Sequence, residues 1–472
     1  MALGKRNRES QGQLWVATQD LVSPGHPFYK KLNQVLDKHS FDEFVEERCA
    51  RYYADGIGRP GIPPGVYFRL LMVGYFEGID SEREIAWRVA DSLSLRQFLG
   101  YALNQGTPDH SSVSRTRRLL DSQTHQEVFE WVLKVLAKSK LLKGKTLGVD
   151  ATTLDANAAM RSIVRRDTGD GYDEFLTKLA KSSGIETPTR EDLARIDKKR
   201  PKKASNKDWE HPHDPDARIA KMKDGRTHLA HKVENAVDMD TKAIVAMTLA
   251  SADEGDTQSL AWTLLQTELN LDTVLQDPAG KHLHPKPLSE VVTDKGYHSN
   301  EVLVDLQASG LRTYISEPDR GRRNWKDKAD AQQAVYANRR RIRGHRGQAL
   351  RRKRGELLER PYAHLFETGG MRRLFLRGRQ NILKRLLIHV VGFNLGLLMC
   401  QLVGCGTPRG MRGVFLLISS FISRWFTPSR AFSTPAGQLP RLCRSSTPSA
   451  ARRCATITQP HFSQKMAFTT GC

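Results

Sequence analysis

The chain's 472 residues, 39% of them hydrophobic, suffice for two or three domains with cores of their own. Cys49, Cys400, Cys405, Cys443, Cys454 and Cys472 are scattered without a CxxC pair, which excludes a zinc ribbon and a disulfide scaffold and points to reduced thiols in a cytosol. The formal charge of +22 is concentrated late: residues 320–385 carry 21 Lys/Arg against five acids, residues 401–472 carry nine against none, and the first 319 residues come to −3. A surplus so placed is the footprint of a polyanion-binding surface, above all one for nucleic acid.

The N-terminal MALGKRNRESQGQLW has no apolar signal core. Residues 22–120 then read as helical. Pro63 and Pro64 precede VYFRLLMVGYFEGI, whose apolar residues recur at helical spacing until Gly78 closes the run. Ser81 and Glu84 form a capping box ahead of a second helix, and a third begins near Asp109 in PDHSSVSRTRRLL. A small polar first turn followed by Arg115, Arg117 and Arg118 suits a helix-turn-helix that reads DNA. Residues 126–142 form an amphipathic helix ending at Gly144. The polar span 160–224 has no sustained periodicity and reads as an insertion rather than a domain. Strands follow at 226–237 and 243–250, a helix at 257–271, a strand at 289–293, a helix at 299–309 and a strand at 311–315. After Asp330 the chain turns basic and helical. The apolar run 386–402, interrupted by His389, Asn394 and Gln401, reads as a core helix rather than a membrane span.

These elements are arranged around KTLGVDATTLDANA, residues 145–158, where a strand over 146–154 carries Asp150 at its centre. A carboxylate there costs several kcal/mol unless something positive meets it, and a divalent cation shared with other carboxylates is one answer. Capping of a following turn is the alternative. A second acid, Asp294, ends the strand over 289–293. The order of strands and helices is that of the ribonuclease-H-like fold, in which the first and fourth strands are neighbours and their acids meet. The expected fold class is therefore α/β: an all-α N-terminal domain over 1–125, a ribonuclease-H-like catalytic domain over 126–402, and a basic, disordered tail over 403–472.

Two-metal phosphodiester chemistry needs carboxylates that hold the ions about 3.5–4 Å apart. Asp150 and Asp294 supply two of them, and an acid from the final helix the third. Asp155 lies an odd number of residues from Asp150 and so faces the other side of an extended strand. Asp253, Glu254 and Asp256 precede a helix and suit capping. His211, His213, His228 and His231 lack the cysteines or further acid of a zinc site.

VVTDKGYHSNEVL, with KMKDGRTHLAHKVENAVDMDT upstream and GELLERPYAHLFETGGMRRLFLRGRQNILKRLLIHVVGFNLGLLM downstream, resembles the bacterial insertion-sequence transposases with an Asp-Asp-Glu triad. GRPGIPPGVYFRLLMVGYFEGIDSEREIAWRVADSLSLRQFLG is similar to the helical domain ahead of their catalytic domain. The resemblance implies a DNA transposase that cleaves the ends of its own element and joins the 3′ hydroxyls to a target. It implies two Mg²⁺ ions, with Mn²⁺ as a substitute, held by Asp150, Asp294 and a glutamate. Glu359, in LERPYA, matches the third acid; Pro361 departs from the family phrase and disfavours helix at Arg360, and Glu356 and Glu367 stay open as alternatives. Gln380, in LRGRQN, stands where an acid would be no surprise and cannot be an anionic ligand. The implied partners are double-stranded DNA, at element ends and target, and further copies of the chain, in a bacterial cytoplasm at the nucleoid, without a membrane. Candidate DNA contacts are Arg115, Arg117, Arg118, Arg339, Arg340, Arg341, Arg343, Arg372, Arg373, Arg377, Lys384 and Arg385. The alternative is a DNA-binding protein derived from such an element and catalytically inactive.

Overall fold

Prolines, caps and one left-handed glycine set the helix boundaries of the N-terminal region. The computed structural model describes residues 23–54, 61–200, 204–221, 225–321, 323–373 and 375–411, and the account below concerns these. Helices α1 (Pro27–Lys38), α2 (Phe41–Cys49), α3 (Pro64–Glu77), α4 (Glu82–Ala90), α5 (Leu93–Phe98), α6 (His110–Leu119) and α7 (Ser122–Lys138) come first. Pro64 occupies the first turn of α3, where a missing amide is harmless, and Gly78 ends it at φ 68°. Ser81, Asp109 and Asp121 each accept a backbone N–H three residues on, starting α4, α6 and α7. Helix α3 is buried on nearly every side, which explains its apolar sequence.

Strand β1 (Thr146–Asp155) opens a mixed α/β region that continues through β2 (Val164–Arg165), α8 (Tyr172–Ser182), α9 (Arg190–Lys199), β3 (Trp209–Glu210), β4 (Arg218–Lys221), β5 (Thr227–Asp238), β6 (Ile244–Ser251), α10 (Asp256–Leu275), β7 (Glu290–Thr293), α11 (Asn300–Ala308), β8 (Arg312–Ile315), α12 (Ala329–Arg343), α13 (His345–Ala363) and α14 (Arg379–Val403). The sheet order is β4-β5-β1-β7-β8, with β6 also paired to β5. β1 is antiparallel to β5, β5 to β6 and β4, while β1, β7 and β8 are parallel. The first and fourth strands of the expected order are thus neighbours.

The span 160–224, read as a polar insertion without sustained periodicity, contains two helices and a two-stranded sheet, as far as its described residues go. Trp209 is buried with Ile163, Ala156, Ala217 and Leu229 in a small core of its own. Arg165 and Arg200 lie over the Phe175 ring at 4.9 and 4.8 Å, so polar helices are anchored by one aromatic cluster. The expected tail begins folded: α14 runs to Val403 and Pro408 is buried, while 412–472 lies outside the described residues.

One hydrophobic core joins the N-terminal helices to the sheet through α7 and α14. Helix α14 is long and apolar enough to cross a membrane by length and composition, but 72% of its most apolar window is buried within the protein, as in a core helix. Its Gly392 lies against Tyr75 of α3, where a Cβ would collide with the ring. Two helical asparagines cover the sheet's outer strands. Asn394 of α14 accepts from Ile244 N (3.0 Å) and donates to Ile244 O (2.9 Å) on β6; Asn338 of α12 does the same for Ile315 on β8 (3.1 and 2.8 Å). Each amide satisfies two buried backbone groups on a strand with no further neighbour. Asn338→Ala or Asn394→Ala should therefore destabilise the protein by about 2–3 kcal/mol, since each strands a buried donor and acceptor. Chemical denaturation would show this, and a change under about 0.5 kcal/mol, the size of a surface substitution, would refute it.

Candidate active site

Strand register brings the two aspartates together. The parallel pairing of β1 with β7 runs Thr146↔Glu290, Leu147↔Val291 and Gly148↔Val292. Extended by two residues, that register sets Asp150 level with Asp294, the residue just past the end of β7, on strands about 4.8 Å apart. Both lie on the face that α13 covers, because Gly148, which shares that face with Asp150, would meet Leu358 of α13 at 2.6 Å if it carried a Cβ. Asp150 is half-buried, and Asp294 keeps 44% of its side chain exposed. Asp294 also caps the turn that follows it, accepting from Lys295 N at 2.6 Å.

Helix α13 runs along β1. Near its start Arg346 bonds Glu290 and Thr146; near its end the Tyr362 hydroxyl donates to Asp150 O at 2.7 Å. Between them Arg354 reaches within 3.6 Å of Asp294 Oδ1, and Leu358 packs on Gly148. Glu359 therefore sits on the turn between Leu358, which meets Gly148, and Tyr362, which bonds Asp150 O, and its side chain is exposed. Glu356 is exposed on the outer side, 3.6 Å from Arg360.

Two local expectations are overturned here. The helix does not stop at Arg360: α13 passes through Pro361 to Ala363. An internal proline costs about 3 kcal/mol. Burying Leu357, Leu358, Pro361 and Tyr362 on one face returns more than that, at about 1.5–3 kcal/mol for each large apolar side chain. Glu367, which the following Gly369-Gly370 pair leads one to expect on a loop, lies instead in the π-helical turn His364–Thr368 that continues α13, and it pairs with Arg372.

Among the described residues no three His, Cys, Asp or Glu side chains converge to hold a metal ion. Asp150 and Asp294 stand on neighbouring strands, and the Glu359 side chain is exposed. The histidines form no ligand set either: His231 Nε2 lies 3.4 Å from the buried Asp214, and His211 and His213 are ring neighbours. Asp155, level with Ala230 rather than Asn235, lines an open hollow of about 540 Å³ with His228, Phe366 and Arg372.

The basic candidates divide. Arg115, Arg118, Arg340, Arg343, Arg372, Arg373 and Arg377 are exposed, and exposed Arg351, Arg352 and Lys353 on α13 extend the set. Arg339 is engaged with Glu317 (2.7 and 2.8 Å) and Arg341 with Thr313 (2.9 and 2.8 Å). Arg117, Lys384 and Arg385 are not surface residues at all. Arg117 is buried against Glu82 at 2.6 Å, Lys384 donates to Arg117 O at 3.0 Å, and Arg385 to Ile79 O at 2.7 Å. Burial pushes the Arg385 guanidinium down to about 10 and lowers the Lys384 ammonium, aided by Arg117. These three tie α14 to the N-terminal helices, so the arginine-bearing side of α6 contacts protein at Arg117 and solvent only at Arg115 and Arg118.

The chain is thus a mixed α/β protein with a helical N-terminal region and an acidic pair on neighbouring parallel strands. Residues 16–119 match the family model described as a transposase domain (DUF772), which supports a transposase family. No protein of curated function matches the chain.

Proposed function

We propose that this chain is a DNA transposase whose Asp150, Asp294 and Glu359 hold divalent magnesium beside the middle of β1 and the C-terminal end of β7, and whose catalytic region is ribonuclease-H-like. The observation that carries the reading is the level placement of Asp150 and Asp294 on adjacent parallel strands beneath a basic helix. The sheet order supports the fold assignment, and the match at 16–119 supports the class. Bound there, divalent ions would supply charge neutralisation and polarisation at the attacking and leaving oxygens. The protein's own part is positional: β1 and β7 fix two carboxylates, α13 carries the third, and the Tyr362 hydroxyl locks α13 onto the Asp150 backbone. Substrate DNA, at element ends and target, lies along exposed Arg340, Arg343, Arg351, Arg352 and Lys353, with several copies assembled on it in the cytoplasm.

Incubating the full chain with its flanking element ends and Mg²⁺ tests the reading: strand cleavage and joining are expected, and sequence-specific binding without cleavage would favour the inactive derivative. One observation favours that second reading, the outward position of Glu359.

Salt dependence follows from the charge. If six or more phosphates are neutralised, affinity for duplex DNA should fall on the order of a thousandfold between 50 and 200 mM salt. Replacing Arg340 and Arg343 together with Gln should flatten the slope for all sequences alike, as phosphate contacts do. The Arg385→Gln variant should leave the slope unchanged, because that side chain is buried. A flat salt response of the native chain would exclude this surface.

A further inference from the structure

The antiparallel register of β1 with β5 sets Asn235 directly opposite Asp150. Directly opposed residues point to the same face and stand with Cβ atoms about 5 Å apart. Asn235, Asp150 and Asp294 thus form one row across β5, β1 and β7, under α13. Asn235 is fully buried, and among the described residues neither its Oδ1 nor its Nδ2 has a hydrogen-bond partner. Buried side-chain amides without partners are rare, and an apolar side chain of the same size would fold more stably here. A strand that keeps such a group beside a carboxylate keeps it for something the folded chain alone does not supply.

We infer that Asn235 is a positioning residue for Asp150, its amide donating to the carboxylate once a divalent cation is shared between Asp150 and Asp294; this rests on the proposed metal-binding reading. The amide is suited to the task. It is neutral, so it adds no third charge to two adjacent carboxylates, and its Nδ2 can fix which oxygen of Asp150 turns toward the cation. Outer partners of this kind orient ligands and typically contribute a factor of about 10–100 in metal affinity. The backbone bond from Tyr362 holds the strand at Asp150 but leaves the carboxylate's rotation to its side-chain neighbours.

The test separates a structural asparagine from a positioning one. Full-length native protein, Asn235→Leu, Asn235→Ser and Asp150→Asn are titrated with Mn²⁺ by calorimetry, and the melting temperature of each is measured without metal. Asn235→Leu is expected to melt higher than native protein without metal, because two unpaired polar atoms are removed, yet to bind Mn²⁺ about 10–100-fold more weakly. Asn235→Ser, which makes no demand on space, should show the same loss of affinity and serves if the leucine does not fit. Asp150→Asn should lose Mn²⁺ binding altogether. If Asp150→Asn loses binding while both Asn235 variants bind Mn²⁺ as native protein does, the role of Asn235 is overturned and the metal reading stands. If Asp150→Asn binds Mn²⁺ normally, the metal reading itself falls and the inference with it.

Discussion

Asp150→Asn and Asp294→Asn should each abolish strand cleavage, by a factor on the order of a thousand or more, while leaving affinity for element-end DNA within about twofold. A metal ligand contributes several kcal/mol to a phosphodiester transition state, and each 1.4 kcal/mol is tenfold in rate. The two residues do not lie in the basic surface, so binding should survive. Asp294 has a second job as the cap of the turn at Lys295, and asparagine caps nearly as well as aspartate, so Asp294→Asn isolates the lost charge from lost structure. Asp294→Ala would remove both and should also lower the melting temperature. Gel-shift binding and cleavage of a labelled end, measured on the same preparations, decide the matter. Near-native cleavage by either asparagine variant would remove that residue from the site. Arg354, 3.6 Å from Asp294, competes for the same carboxylate; Arg354→Gln should leave cleavage standing and, if anything, lower the Mg²⁺ concentration required.

How much of this was legible depends on whether the deciding interaction is local. Asp150 stands out because an acid interrupts a β-prone run, and Asp294 because an acid ends one. Their meeting follows from strand order, and the pairing of β1 with β7 agrees with it. Asn235 carries no such mark, since its meaning appears only when the β1–β5 register sets it opposite Asp150, 85 positions away in the chain. Helices α8 and α9 are short and mostly polar; α8 is held by Trp209 through Tyr172 and Phe175, and α9 is tied to α8 by Asp197 on the Tyr172 hydroxyl, contacts no helical periodicity reveals. Pro361 misleads in the opposite direction: a local rule worth about 3 kcal/mol loses to the burial of Pro361 itself with Leu357, Leu358 and Tyr362. Charge density likewise does not separate exposed Arg340 from buried Arg385. Helix α14 is enclosed on all sides, so its polar residues show no stripe that would tell inside from outside.

The third acid is where a single substitution should be most informative. Glu359→Gln is expected to reduce cleavage on the order of a thousandfold, as for the aspartates, and Glu356→Gln and Glu367→Gln to leave it within about threefold. The contacts of α13 set this ranking. Leu358 on Gly148 and Tyr362 on Asp150 O bracket the turn that passes the acidic pair, and Glu359 lies inside that bracket. At about 100° per residue, Glu359 is 60° from Tyr362 and 100° from Leu358, one turn before the residue that bonds Asp150 O. Glu356 is a further 60° toward solvent and a turn earlier, where it pairs with Arg360; an exposed i,i+4 pair of this kind contributes no more than about 0.5 kcal/mol. Glu367 lies a turn and more beyond Tyr362 and is taken up by Arg372. Glu359 must turn inward to reach the aspartates, so its effect should appear in Mg²⁺ dependence as well as in rate: Glu359→Gln should need more Mg²⁺ at both precut and uncut ends. Were Glu356→Gln the inactive variant instead, α13 would have to rotate by about 60° and slide by about 4.5 Å when DNA binds, pulling Leu358 off Gly148. Crosslinking a cysteine at Leu358 to one at Gly148 would then block activity, whereas with Glu359 as the third acid it should not.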